Sequence, residues 1–246
     1  MKLTVLGCYG PYPAAGGACS GYLLEEEGCR VLIDCGSGVL SRLQRYVKSW
    51  ELEAVILSHL HSDHTADLMV MRYALEYART KGWRSEPLRL YSPPEPSAVL
   101  QSLLYRDNFE FVTLSEAEPL QMGPFQFTFL ETIHSLPCLA MRVETEKGSL
   151  VYSGDTEYFK GLVDFAGGAA IFLCEANFQE EDMASSPSNH LSAAGAARIA
   201  ARAGVKRLLL THLHPERDPA LSLKEAQMHY PAAEIAREGA TYQVAE

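Results

Sequence analysis

Ser58-His59-Leu60-His61-Ser62-Asp63-His64 follows directly on the apolar run Ala54-Val55-Ile56-Leu57. Three histidines and an aspartate thus crowd into the six positions 59–64. A strand ending there directs His59 and His61 to one side, because residues two apart share a face. A turn then returns Asp63 and His64 to the same space. Half-desolvated imidazoles and a carboxylate without a partner would be costly, so a cation among them is the simplest reading. Imidazole and carboxylate are ligands of zinc and its transition-metal neighbours. Four donors on one short segment exceed what a single tetrahedral site takes from one loop, which points to two adjacent metals. A pair about 3.5–4 Å apart suits hydrolysis, because it clamps both the attacking and the leaving oxygen.

At 246 residues and 47% hydrophobic content, the chain reads as one domain spanning 1–246. No apolar run reaches membrane-spanning length, and Met1-Lys2-Leu3-Thr4-Val5-Leu6-Gly7 reads as a first strand without a cleavage pattern. A cytoplasmic protein with no membrane partner is expected. The formal charge of −10 argues against an extended nucleic-acid surface, which needs a basic face. It leaves room for a small phosphorylated substrate held by metals. The six cysteines form no Cys-x-x-Cys pair and mostly sit in apolar runs, so reduced, buried thiols are expected. Cys8 and Cys19 approach the mouth of the site in this reading, without ligating.

Apolar runs predict strands at 3–8, 22–25, 30–34, 54–57, 88–91, 125–133, 139–144, 150–152, 169–175, 207–211 and 242–244. Helical patterns fall at 39–48, 66–80, 98–108, 158–165, 193–203 and 222–230. The stretch from Asp67 to Leu75 is too apolar all round for an exposed helix and should pack on a sheet. It and the tyrosines after it suit either the core or a homodimer interface. The mixture is α/β or α+β, with helices on sheet faces. Asp34-Cys35-Gly36-Ser37-Gly38 and Ser153-Gly154-Asp155-Thr156 are similar sharp exits from strands, a hint of two related halves. The turn-rich loop Gly10-Pro11-Tyr12-Pro13-Ala14-Ala15-Gly16-Gly17 is placed to border a pocket.

Further donors stand at strand ends. His134 closes the run ending in Ile133, Asp155 the run through Tyr152, and His212 the run Leu208-Leu209-Leu210-Thr211. His190 precedes Ser192, a plausible cap for the helix at 193–203. His-x-His-x-Asp-His, a lone His, Ser-Gly-Asp-Thr and Leu-Thr-His, in that order, resemble the metallo-β-lactamase superfamily. Cys174-Glu175-Ala176-Asn177-Phe178 and His190-Leu191-Ser192-Ala193-Ala194-Gly195 resemble its ribonuclease Z-like branch. The opening Leu6-Gly7-Cys8-Tyr9-Gly10-Pro11-Tyr12-Pro13 is more like small bacterial members of the YhfI type. The resemblance implies a four-layer αββα sandwich with the site at one edge between two sheets. It implies His59, His61 and His134 on a first metal, Asp63, His64 and His212 on a second, and Asp155 bridging them. Zinc suits the imidazoles; manganese or iron also fits such a nitrogen–oxygen set.

Two divalent cations lower the pKa of a bound water enough to supply hydroxide near neutral pH. Asp63 then has a second role as general base, and His190, in the branch's pattern, stabilises phosphoryl charge or protonates the leaving group. Glu175 and Asp34 are candidates to orient ligand histidines. Asp67 and His214 could also face the site; His229 reads as structural or exposed. The resemblance breaks where precursor-tRNA enzymes carry a long substrate-gripping arm: only 20 residues separate His134 from Asp155. The branch's Ser-x-Arg-Tyr is replaced by Leu213-His214-Pro215-Glu216, and Gly16-Gly17-Ala18-Cys19 stands where an arginine is usual. The expectation is therefore a dinuclear-metal phosphodiesterase acting on a small phosphodiester or single-stranded nucleic acid. A tRNA 3′-end endonuclease, an ester, thioester or lactone hydrolase, and a non-catalytic metal-binding protein are the alternatives.

Overall fold

A computed structural model describes residues 1–185 and 189–245. The first sheet holds β1 (Lys2–Gly7), β2 (Gly21–Glu26), β3 (Cys29–Ile33), β4 (Ala54–Ile56), β5 (Leu88–Ser92) and β6 (Phe109–Thr113). The second holds β7 (Leu120–Met122), β8 (Phe125–Glu131), β9 (Leu139–Thr145), β10 (Gly148–Tyr152), β11 (Ile171–Glu175), β12 (Leu208–Thr211) and β13 (Glu234–Ile235). The last strand, β14 (Thr241–Gln243), returns to the edge of the first sheet beside β1. The orders are β14-β1-β2-β3-β4-β5-β6 and β13-β12-β11-β10-β9-β8-β7. Each sheet pairs an antiparallel meander with a parallel run, from β3 in one and from β10 in the other. The two similar exits noted in the sequence leave corresponding strands of these two sheets.

The sheets face each other across a core of Leu3, Val5, Tyr22, Leu24 and Ile33 from one side and Phe125, Phe127, Phe129, Met141 and Tyr152 from the other. In β8 the period of two carries the three phenylalanines inward and leaves Gln126 exposed between them. Each phenylalanine withdrawn from water there contributes on the order of 1.5–3 kcal/mol. The opposite faces are covered by helices. On the first sheet lie α1 (Val39–Leu43), α3 (Leu68–Thr80) and α4 (Ser97–Leu103); the single turn α2 (Ser62–Thr65) precedes α3. On the second lie α5 (Lys160–Phe165), α6 (Ala193–Ala203) and α7 (Pro219–Gln227). The result is the αββα sandwich. Among the described residues no helix is long and apolar enough to cross a membrane.

Several sequence expectations are corrected. The helix expected to run to 48 stops at Leu43, because the chain turns to bring Val47 into the core. The helix expected to run to 108 stops at Leu103, because Leu104 is extended and Arg106 and Asp107 take left-handed φ values of 50° and 53°. That break frees Phe109-Glu110-Phe111-Val112-Thr113 to form β6, which the helical pattern obscured. Strands β7 and β13 are too short, at three and two residues, to leave a periodic signal. The helix after the histidine cluster packs on the sheet through Leu68, Met71, Leu75 and Ala78 alone. Met69, Val70, Tyr73 and Tyr77 on that helix stay exposed.

Candidate metal centre

The donors leave the C-terminal ends of strands that run the same way within each sheet. His59 and His61 follow β4, and α2 folds Asp63 and His64 back beside them. His134 follows β8, Asp155 follows β10, Glu175 ends β11 and His212 follows β12. His190 lies just ahead of α6, whose cap Ser192 accepts from Gly195 N. Distant segments thereby converge between the sheets.

His59 Nε2 lies 2.9 Å from His61 Nδ1, and His134 Nε2 lies 3.1 Å from that same atom. On the other side, Asp63 Oδ2 is 3.1 Å from His212 Nε2 and 3.6 Å from His64 Nε2. Asp155 belongs to both groups: its Oδ2 is 3.3 Å from His212 Nε2, 3.4 Å from His64 Nε2 and 3.7 Å from His59 Nε2. His59, His61, His134 and Asp155 form one set able to hold an ion, and Asp63, His64, Asp155 and His212 another, each with ligand atoms within 4.8 Å of one another.

Buried groups around these sets fix their orientation. Asp34, in a left-handed conformation at φ 54°, accepts at Oδ2 from Tyr152 Oη at 2.8 Å and Ser58 Oγ at 2.9 Å. The same oxygen meets His64 Nδ1 at 2.7 Å, which leaves His64 Nε2 aimed at the donors. The N-terminal loop supports His212 from behind. Asn177 Nδ2 donates to Gly10 O at 2.9 Å and His212 O at 3.1 Å. Glu175, wholly buried, accepts from Thr156 N at 2.6 Å and Leu191 N at 3.1 Å, and meets His190 Nδ1 at 3.1 Å. His190 stacks on His212 with ring centres 5.2 Å apart.

The electrostatics suit cation binding. Burial, then the neighbouring His64, pushes His59 well below the usual histidine range. Burial likewise lowers His61 and His134, so all three offer neutral lone pairs. Burial alone would raise Asp155, but His212, His64 and His59 hold it well below the carboxylate range. Burial disfavours charge on His64, yet Asp155, Asp34 and Asp63 outweigh it and raise that histidine well above its usual value. Burial also opposes charge on His190, and Glu175 overcomes it, raising His190 to about 9.

Among the described residues, His64 Nε2 and Asp155 Oδ1 are buried with no hydrogen-bond partner. Such orphans are costly in a dry interior, and a cation ligated by both removes the cost. The carboxylate field that favours a proton on His64 favours a metal ion at the same atom. The residues therefore fit a metal.

The remaining candidates are held in other contacts, and Cys19 stands beside the Asp63 backbone rather than among the donors. Asp67 accepts from Leu40 N at 2.8 Å and ties α1 to α3. His214 packs edge-on against Tyr12, and His229 meets Arg198. Cys8 and Cys19 are buried free thiols that burial pushes up to about 12. Tyr152 and Ser58 were not singled out by sequence reasoning. Both sit within the motifs it quoted, but their service to Asp34 depends on a contact across 118 and 24 residues of chain.

A buried His/Asp cluster at one edge between two mixed seven-stranded sheets defines a metal-binding αββα protein. The chain belongs to the metallo-β-lactamase superfamily: the family described as Beta-lactamase superfamily domain matches residues 29–213. It is 39% identical over 213 residues to the protein named "Probable metallo-hydrolase YhfI" of Bacillus subtilis (strain 168), covering 87% of each chain. The crystal structure of the metallo-beta-lactamase fold protein YhfI from Bacillus subtilis superposes with a TM-score of 0.93 at 37% identity, covering 98% of each chain. A Ribonuclease Z of Methanopyrus kandleri is 27% identical over 276 residues, with 97% of this chain and 96% of the relative covered.

Proposed function

We propose that the protein is a metal-dependent hydrolase of small phosphodiesters, holding two divalent ions, with zinc the favoured metal. His59, His61 and His134 would hold the first ion, Asp63, His64 and His212 the second, and Asp155 would bridge them. The observation that carries this reading is the position of Asp155, one carboxylate within 3.7 Å of imidazoles from both sets. When bound, such a pair supplies Lewis acidity and an activated water. The hydrolase class is supported by likeness to the protein named "Probable metallo-hydrolase YhfI".

The chain's own residues supply the rest. Asp63, besides holding the second ion, would accept a hydrogen bond from an attacking water. His190 is bound to Glu175 through Nδ1, so Nε2 is the atom left to face substrate. Glu175 itself is fixed by two backbone donors, which keeps an imidazolium at His190 compensated and aimed. A positioned cation beside the donors suits charge building on a phosphoryl oxygen, or proton delivery to a leaving oxygen. That favours phosphate over carboxylic-ester chemistry. Precursor tRNA is disfavoured, because the interval between His134 and Asp155 is taken up mainly by β9 and β10.

Metal-loaded protein should be assayed together on bis(p-nitrophenyl) phosphate and on a precursor tRNA with a 3′ trailer. Turnover of the diester alone is expected. Site-specific trailer removal would replace this reading with the tRNA one, and activity on neither would shift weight to ester hydrolysis or metal binding without catalysis. His190→Ala should retain its metals and slow diester cleavage by roughly 2–4 kcal/mol in barrier height. An unchanged rate would leave His190 only a structural role.

A further inference from the structure

We propose that the groove running from His190 along α6 is a subsite for a planar ring carried by the substrate, with Tyr158 and Arg202 as its specificity-determining residues. The inference deepens the phosphodiester reading and rests on it for the position of the phosphate. Two adjoining cavities form the groove. The nearer, about 240 Å³, is lined by Glu157, Tyr158, His190, Leu191, Ser192 and Arg198 among others. The farther, about 390 Å³, is lined by Tyr158, Arg198, Ala201, Arg202 and His229. Tyr158 and Arg198 are walls of both. His190 is the link to the reaction centre, since it lines the nearer cavity and lies with Glu175 and His212 in one cluster of donors.

The walls have the chemistry of a ring site. A phenol, two guanidinium groups and an imidazole line the farther cavity, and each carries a flat π system. Tyr158 is 46% exposed, and its orientation is held by Arg202 Nη1, which donates to its hydroxyl at 2.7 Å. The two arginines differ in charge balance. Arg198 pairs with Glu180 at 2.9 Å. Arg202 has no carboxylate partner among the described residues, in a chain of formal charge −10. Its cation is free to meet the electron-rich edge or face of a ring.

The test compares adenosine 5′-monophosphate with ribose 5-phosphate, which share the phosphate and sugar and differ by the ring. Binding of each to metal-loaded wild type, Tyr158→Ala and Arg202→Ala is measured by calorimetry, beside turnover of bis(p-nitrophenyl) phosphate. Both side chains are exposed, so truncation spares the core. Wild type should prefer the ring-bearing ligand by about ten-fold or more, the usual scale of base–aromatic stacking. Each variant should lose most of that preference while its affinity for ribose 5-phosphate holds. Equal affinities in wild type, or a preference that survives both substitutions, would overturn the proposal. Diester turnover without a ring preference removes the subsite and leaves the phosphodiester reading; a ring preference without turnover does the reverse.

Discussion

At the scale of single residues, the centre depends on what stands behind the ligands as much as on the ligands. Gly10 is the sharpest case. A Cβ built there would lie 2.0 Å from His212 Nε2, so only hydrogen fits against that imidazole. Gly10→Ala should displace His212 and weaken metal binding at the set containing Asp63 and His64 by at least ten-fold, the scale seen when a ligand's support is lost. Gly16→Ala is the matched control. It strains a φ of 73° but meets nothing within 4 Å among the described residues, so the metal affinity should hold. Competitive chelator titration reads both, and equal affinities would refute the packing argument. Asp34 works similarly through His64, and its own left-handed backbone is the kind of strain that persists where surrounding contacts over-determine it.

At the scale of elements, α6 connects the second sheet to the centre. Its run of alanines lets it lie close on β11 and β12, and Ser192 caps it while donating to Glu180 at 2.7 Å. Ser192→Ala should cost about 1 kcal/mol and lower the melting temperature by about 2–4 °C. A thermal melt identical to wild type would show that the cap does not stabilise α6. This helix was legible in the sequence from end to end, because cap, alanine run and Gly204 all mark it. The strands that carry ligands were legible too, since each joins an apolar run to a polar terminal residue. What escaped was set by longer-range packing. β6 became visible only once the left-handed pair Arg106 and Asp107 ended α4. The exposed face of α3 escaped because the motif's apolar character does not say which residues a sheet will cover. Within the centre, the donors from His59 to His212 stood out in the sequence, whereas the service of Gly10 to His212 rests on a loop folding back across the molecule.

At the scale of the whole molecule, metal binding and folding are separable. The apolar cores draw on both sheets and on the helices covering their outer faces, so the sandwich has its own source of stability. Chelated protein should keep its far-UV circular dichroism and melt at a lower temperature. At free metal 100-fold above the dissociation constant, binding to the native state adds about 2.7 kcal/mol. For a chain this long, that corresponds to a melting shift of about 5–10 °C for each ion bound. Scanning calorimetry with and without chelator tests this, and a melt indifferent to chelator would contradict it.

The most direct measurement is the metal content of purified wild-type protein and of Asp155→Ala, by elemental analysis after equilibration with zinc and removal of the excess. Wild type should hold two ions per chain, and the variant should lose at least one of them along with its diester turnover. One ion or none in wild type, or two in Asp155→Ala, would contradict a carboxylate-bridged pair.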